Sequence, residues 1–216
     1  MRKILVVIIL LGFLSGCAWI PARHALQENI TAPAGKVEGN HFTGIRYTFN
    51  VTVPPNWKLT TEFPDFLEEL GYDKPFSTDK EQTELYAYNP ETKSNIQFDF
   101  TPADRYSRFS QKEMERVVSS AGTSSMMAEL EKEYGKNVIK PDVYPTEPIS
   151  LKGVKYAAKK YVIYTARGLK REQGWIYGFT EPYQIFIIYT LFEKGGTTDR
   201  EDLKKILDSF EYIKKK

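Results

Sequence analysis

The stretch "YQIFIIYTLF", residues 183–192, is apolar at odd and even positions alike. A strand of that composition has no face to give to water, so it is covered on both sides. It therefore calls for a sheet with a layer of structure above and another below. Upstream, strands are expected over 145–150, 153–166 and 171–180, separated by "LKG", "RGLK" and "TEPY", so that the greasy strand closes a meander. Downstream, Leu203, Ile206, Leu207 and Phe210 recur at i, i+3, i+4 and i+7. That spacing predicts an amphipathic helix packed on the sheet, with Thr198-Asp199-Arg200-Glu201 as its capping box.

The earlier half supplies the remaining elements. Ile45, Tyr47, Phe49, Val51 and Val53 alternate with polar residues, which predicts a strand with one buried face that Pro54-Pro55 ends. "EFPDFLEELGY" places Phe63, Phe66, Leu67 and Leu70 at helical spacing, with Gly71 as a stop. "TELYAYNPETKSNIQFDFTP" reads as a hairpin whose loop is Asn89 to Asn95. Ser110 to Tyr134 reads as two short helices broken near Gly122, with Ser110 and Glu113 as a capping box. The order predicts an α+β fold: an antiparallel β-sheet with helices on both faces, an α/β/α sandwich.

These motifs resemble a known family. "YTFNVTVPPNW" is similar to the opening strand and turn of PsbP-like domains. The segment from "TEPISLKGVKY" through "YQIFIIYTLF" to "REDLKKILDSFEYI" is similar to their C-terminal half. Leu151-Lys152-Gly153 also resembles the turn into the meander of DcrB-type envelope lipoproteins. The resemblance covers roughly residues 42–213. It implies the same sandwich, used as a binding or assembly module, and it brings no catalytic motif. The segment around 71–82 and the helices over 110–134 depart from the simplest form of the family.

The N-terminus has an architecture of its own. Arg2 and Lys3 precede ten apolar residues, Ile4 to Phe13, and small residues lead to Cys17. That order is a secretory signal peptide, shorter than the roughly 20 apolar residues a comfortable membrane span needs. Leu14-Ser15-Gly16-Cys17 resembles the bacterial lipobox, which implies cleavage after Gly16 and a diacylglyceryl thioether on Cys17. Two acyl chains suffice for stable anchoring at about 0.8 kcal/mol per buried methylene. The expected organisation is a signal peptide over 1–16, a lipidated N-terminus and flexible tether over 17–41, and a PsbP-like domain over 42–216. The tether, if flexible, spans roughly 25–30 Å.

Composition narrows the function classes. The chain carries 30 basic and 28 acidic side chains, and removing Arg2 and Lys3 balances them at 28 each. No net field would draw the mature chain to nucleic acid. Cys17 is its one cysteine, so an exported form has no disulfide and no thiolate metal site. Fourteen tyrosines and thirteen phenylalanines must carry the core.

Candidate chemistry is sparse. His24 lies in the tether and His41 at the domain edge, neither placed to serve a nucleophile. Asp65, Glu68 and Glu69 cluster on the early helix, Asp99 and Asp104 end the hairpin, and Glu129 and Glu133 share a helix face. Neighbouring lysines and the helical spacing favour solvated faces over a carboxylate pair or a metal site. No catalytic residue, metal site or cofactor is expected. The candidate binding residues are Trp175, Tyr177 and Phe179, which share one parity of a strand whose other parity holds Gly174, Ile176 and Gly178. They would either pack beneath a helix or form an exposed platform for a partner, since Trp and Tyr are enriched among interface anchors.

The sequence thus predicts a lipid-anchored, non-enzymatic cell-envelope lipoprotein that binds another envelope protein, membrane-attached through Cys17. Ala18 after Cys17 favours the outer membrane if the cell is Gram-negative. A small-ligand carrier with a pocket between sheet and helices is the alternative, and a carboxylate hydrolase a third.

Overall fold

The computed structural model describes residues 32–72, 83–102 and 109–214. The expected signal peptide, the expected lipid site Cys17, His24 and Asp104 lie outside the described residues. One compact unit runs from Ala34 to Lys216. It begins earlier than the predicted boundary at Phe42. Strand β1 (Gly35–Glu38) pairs antiparallel with β2 (His41–Gly44), so the last residues of the expected tether are built into a sheet.

The strands form two sheets. The smaller has the order β1-β2-β3-β12, where β3 is Phe49–Thr52 and β12 is the two-residue strand Glu211–Tyr212. The larger runs β4-β5-β6-β11-β10-β9-β7, with β8 also paired to β9. Its strands are β4 (Lys58–Thr60), β5 (Thr83–Tyr88), β6 (Asn95–Pro102), β7 (Asp142–Val143), β8 (Glu147–Pro148), β9 (Tyr156–Ala166), β10 (Leu169–Thr180) and β11 (Tyr183–Phe192). The greasy stretch is β11, and it is central, hydrogen-bonded to β6 on one side and β10 on the other.

One face of β11 is fully buried from Ile185 to Leu191, and on the other Gln184, Thr190 and Phe192 are buried while Phe186 and Ile188 are half-buried. On one face Ile185, Ile187, Tyr189 and Leu191 join a core with Phe42, Phe49 and Val51 of the small sheet, with Leu203 and Ile206 of helix α4 (Gly196–Ser209), and with Phe210 just after it. Each such apolar side chain contributes about 1.5–3 kcal/mol on full burial. Phe49 ties the layers together, its ring 4.7 Å from Phe100, 5.0 Å from Phe42 and 5.7 Å from Phe210. On the opposite face, helices α2 (Gln111–Val117) and α3 (Thr123–Tyr134) bury Met114, Met126 and Leu130 against Ala158, Val162 and Trp175. Short helix α1 (Asp65–Glu69) lies near β5, with the Phe66 ring 5.1 Å from Tyr88. The α+β sandwich with an antiparallel sheet between helices is the observed architecture.

Three local expectations change. The strand predicted from Ile45 starts at Phe49: Tyr47, Phe49, Val51 and Val53 are buried in alternation, but Ile45 sits in the preceding turn and is exposed. Helix α4 starts at Gly196, so Thr198 lies inside it and the predicted capping box does not form. Asp199 is used instead as an acceptor, from Asn89 Nδ2 at 3.1 Å and Thr92 Oγ1 at 2.6 Å, which fastens the β5–β6 loop to the helix. The helices over 111–134 are not broken at Gly122. A wider π-helical turn, Val118–Gly122, joins α2 to α3.

Candidate functional site

Trp175 explains that turn. Its indole Nε1 donates to the Val118 carbonyl at 3.0 Å, and Lys160 Nζ donates to the Ser119 carbonyl and hydroxyl, both at 3.3 Å. A π turn presents carbonyls outside the regular ladder, and two sheet side chains take them up. Gly122 makes the approach possible, since a Cβ there would fall 1.8 Å from Trp175 Nε1.

The predicted platform is therefore interior. Trp175 and Phe179 are buried under the helices, and Tyr177 is half-buried with its ring 4.4 Å from Phe186. Of the two expectations for Trp175 and Phe179, packing beneath a helix is what the structure has and the exposed platform is not, because α2 and α3 cover that parity of β10. The glycines opposite have a different use from admitting a partner. The Tyr189 ring lies over Gly174, where a Cβ would meet it at 2.3 Å.

What α2 and α3 leave uncovered on that face is a cleft of about 460 Å³ between α3, the end of α1 and the edges of β9 and β10. Its walls include Leu70, Tyr72, Met126, Leu130, Tyr164 and Gln173, and its floor contains Arg171. Arg171 stands across from Tyr164 on β9 and Phe192 on β11, and its guanidinium lies 5.7 Å and 5.4 Å from those ring centroids. It is 7% exposed, and its Nε has no hydrogen-bond partner. Among the described residues no carboxylate lies within salt-bridge distance of it, in contrast to Arg46, which pairs with Glu84 at 2.8 Å.

A buried charge without a counter-charge costs several kcal/mol, of which two ring faces return only part. The groups around it are hydrogen-bonding but neutral. Tyr164 Oη donates to Gln173 Oε1 at 2.7 Å, which leaves the Gln173 amide N–H groups as donors. Tyr72 Oη and Thr190 Oγ1 share a 2.8 Å bond. Burial pushes the Tyr72 and Tyr164 hydroxyls up from their ordinary value, so both stay protonated near neutral pH. Glu129, Lys132 and Glu133 of α3 form the rim.

The remaining sequence candidates are dispersed. Asp65, Glu68 and Glu69 are exposed on α1, Asp99 is on β6, and Glu129 and Glu133 are exposed on α3. His41 Nδ1 is 2.9 Å from Thr52 Oγ1 in the small sheet. Among the described residues no group of three or more His, Cys, Asp or Glu side chains could hold a metal ion. Sequence reasoning passed over Arg171, Tyr72 and Gln173. The legible signal was polar Arg171 and Gln173 on the same parity of β10 as Trp175, on a face expected to be covered.

No protein-family model matches the chain, and no curated protein sequence matches it. Solved structures do. Cyanobacterial PsbP (CyanoP) from Synechocystis superposes with a TM-score of 0.54 at 10% identity, over 84% of this chain and all of that one. A Bacteroides thetaiotaomicron protein gives 0.46 at 11% identity, over 83% of this chain and half of its own length. LpqN, involved in cell envelope biogenesis of Mycobacterium tuberculosis, gives 0.47 at 11% identity, over 77% of this chain and 84% of its own. The likeness to CyanoP shows that the chain has a PsbP-like fold; at this identity it shows the fold alone.

Proposed function

We propose that this chain is a lipid-anchored, non-enzymatic binding module of the bacterial cell envelope, attached through Cys17 and facing the periplasm or exterior. The observation that carries the location is Leu14-Ser15-Gly16-Cys17 directly after a charged n-region and a short apolar run. The PsbP-like fold fits a module that works by binding, and envelope attachment suggests another envelope protein as its partner.

A second reading is favoured by the cleft: a small-ligand carrier whose pocket lies between the sheet and α3. With Trp175 and Phe179 buried, a recognition feature among the described residues is this concavity, in which Leu70, Met126 and Leu130 stand beside convergent polar groups. Purification of tagged full-length protein in detergent, with native mass spectrometry of the eluate, tests both readings. A diacylglyceryl mass lost in Cys17→Ser is the expected result for the anchor, and an unlipidated wild-type N-terminus would refute it. A stoichiometric protein partner supports the protein-binding module; a bound small-molecule mass supports the carrier.

A further inference from the structure

We infer that the Arg171 cleft is a binding site for a small organic monocarboxylate with an apolar body. The inference rests on the carrier reading and deepens it. Arg171 is more than nine-tenths buried, lines the cleft, and has an unpartnered Nε with no carboxylate in reach among the described residues. A guanidinium fork is shaped to take both oxygens of a carboxylate. The Gln173 amide, held by Tyr164 through its oxygen, adds a neutral N–H donor beside it.

The charge count selects the class of anion. Among the lining residues the floor contributes one cation, Arg171. Glu129 and Glu133 stand on the rim with Lys132. A dianion such as a phosphate monoester would meet one positive charge on the floor and, at the mouth, two carboxylates against the single ammonium of Lys132, with Glu133 also 3.4 Å from Arg167. A monocarboxylate is matched by Arg171 alone. Leu70, Met126 and Leu130 offer apolar wall to the rest of the molecule, and the volume of about 460 Å³ is in the range of small-molecule sites.

The probe pair is N-acetyl-L-phenylalanine and its neutral amide, titrated calorimetrically into the detergent-solubilised full-length protein, with inorganic phosphate as a third titrant. The acid should bind saturably, and the amide and phosphate should not. Arg171→Met keeps an unbranched side chain between Tyr164 and Phe192 but removes the fork, and it should weaken the acid by about tenfold or more. Should that variant fail to fold, Glu129→Gln and Glu133→Gln change exposed rim residues, the second of which also releases Arg167. Each should tighten the acid about twofold by removing a like charge. Equal binding of acid and amide, no binding of the acid, or affinity unchanged in the rim variants and in folded Arg171→Met would overturn the assignment. A small-molecule mass retained in the native spectrum while the acid fails to bind would leave the carrier reading standing and remove only the carboxylate.

Discussion

Glu84 shows how a single side chain sets a pH dependence. It sits at the irregularity of β5, nearly fully buried, and accepts from Arg46 Nη1 at 2.8 Å. Burial pushes its carboxyl up to about 7; Arg46 pulls the other way without prevailing, and nearby Asp99 adds to the rise. The folded chain thus holds this proton more tightly than the unfolded chain does. The stability this site contributes is complete below about pH 4.5, the ordinary value, and is lost as pH rises towards 7. Glu84→Gln should flatten the pH dependence of the urea midpoint across that window; a slope identical to wild type would contradict it. Gly122 makes a steric case of the same scale. Its Cβ would land on an indole fixed by a hydrogen bond, so Gly122→Ala should cost about 1–3 kcal/mol by urea unfolding. A neutral effect would mean that α3 can shift away from the sheet.

Elements began where their end signals were local and failed where a distant group could replace them. Ser110 and Glu113 form the capping box their spacing predicts, with the Glu113 amide donating to Ser110 Oγ at 3.4 Å and Ser110 N–H donating to Glu113 Oε2 at 2.7 Å. Ser110→Ala should therefore destabilise by about 0.5–2 kcal/mol, checked by thermal unfolding alongside Glu113→Ala. The same four-residue pattern at Thr198 fails because the helix already starts at Gly196, where Asn89 and Thr92, more than a hundred residues away in sequence, fasten Asp199 of its first turn. The π turn between α2 and α3 follows the same logic. Gly122 read as a break when judged by propensity alone, yet it is the point of closest approach to the sheet.

The whole molecule depends on layers meeting through aromatic rings. Phe49 of the small sheet touches Phe98 and Phe100 of the large sheet and Phe210 at the end of α4. Phe49→Ala should cost about 3–5 kcal/mol, and it should lower the unfolding midpoint without splitting the transition, since no layer keeps a core of its own. Two transitions would show that the sheets unfold separately. At this scale the sequence determined the class of fold. Period-two and both-parity runs marked β3, β9, β10 and β11, the Leu203–Phe210 stripe marked α4, and the apolar count required covered faces, because burial patterns are written locally. Tertiary structure alone decided that β1 and β12 complete a second sheet. Strands of four and two residues carry too little periodicity to read, and β12 exists only because Tyr212 finds Phe49. It also decided the site. Parity placed Arg171, Trp175 and Phe179 on one face, but which of them the helices bury among apolar side chains and which they leave at the floor of a cleft depends on where α3 ends its contact with β10. That is set by packing between residues far apart in the chain.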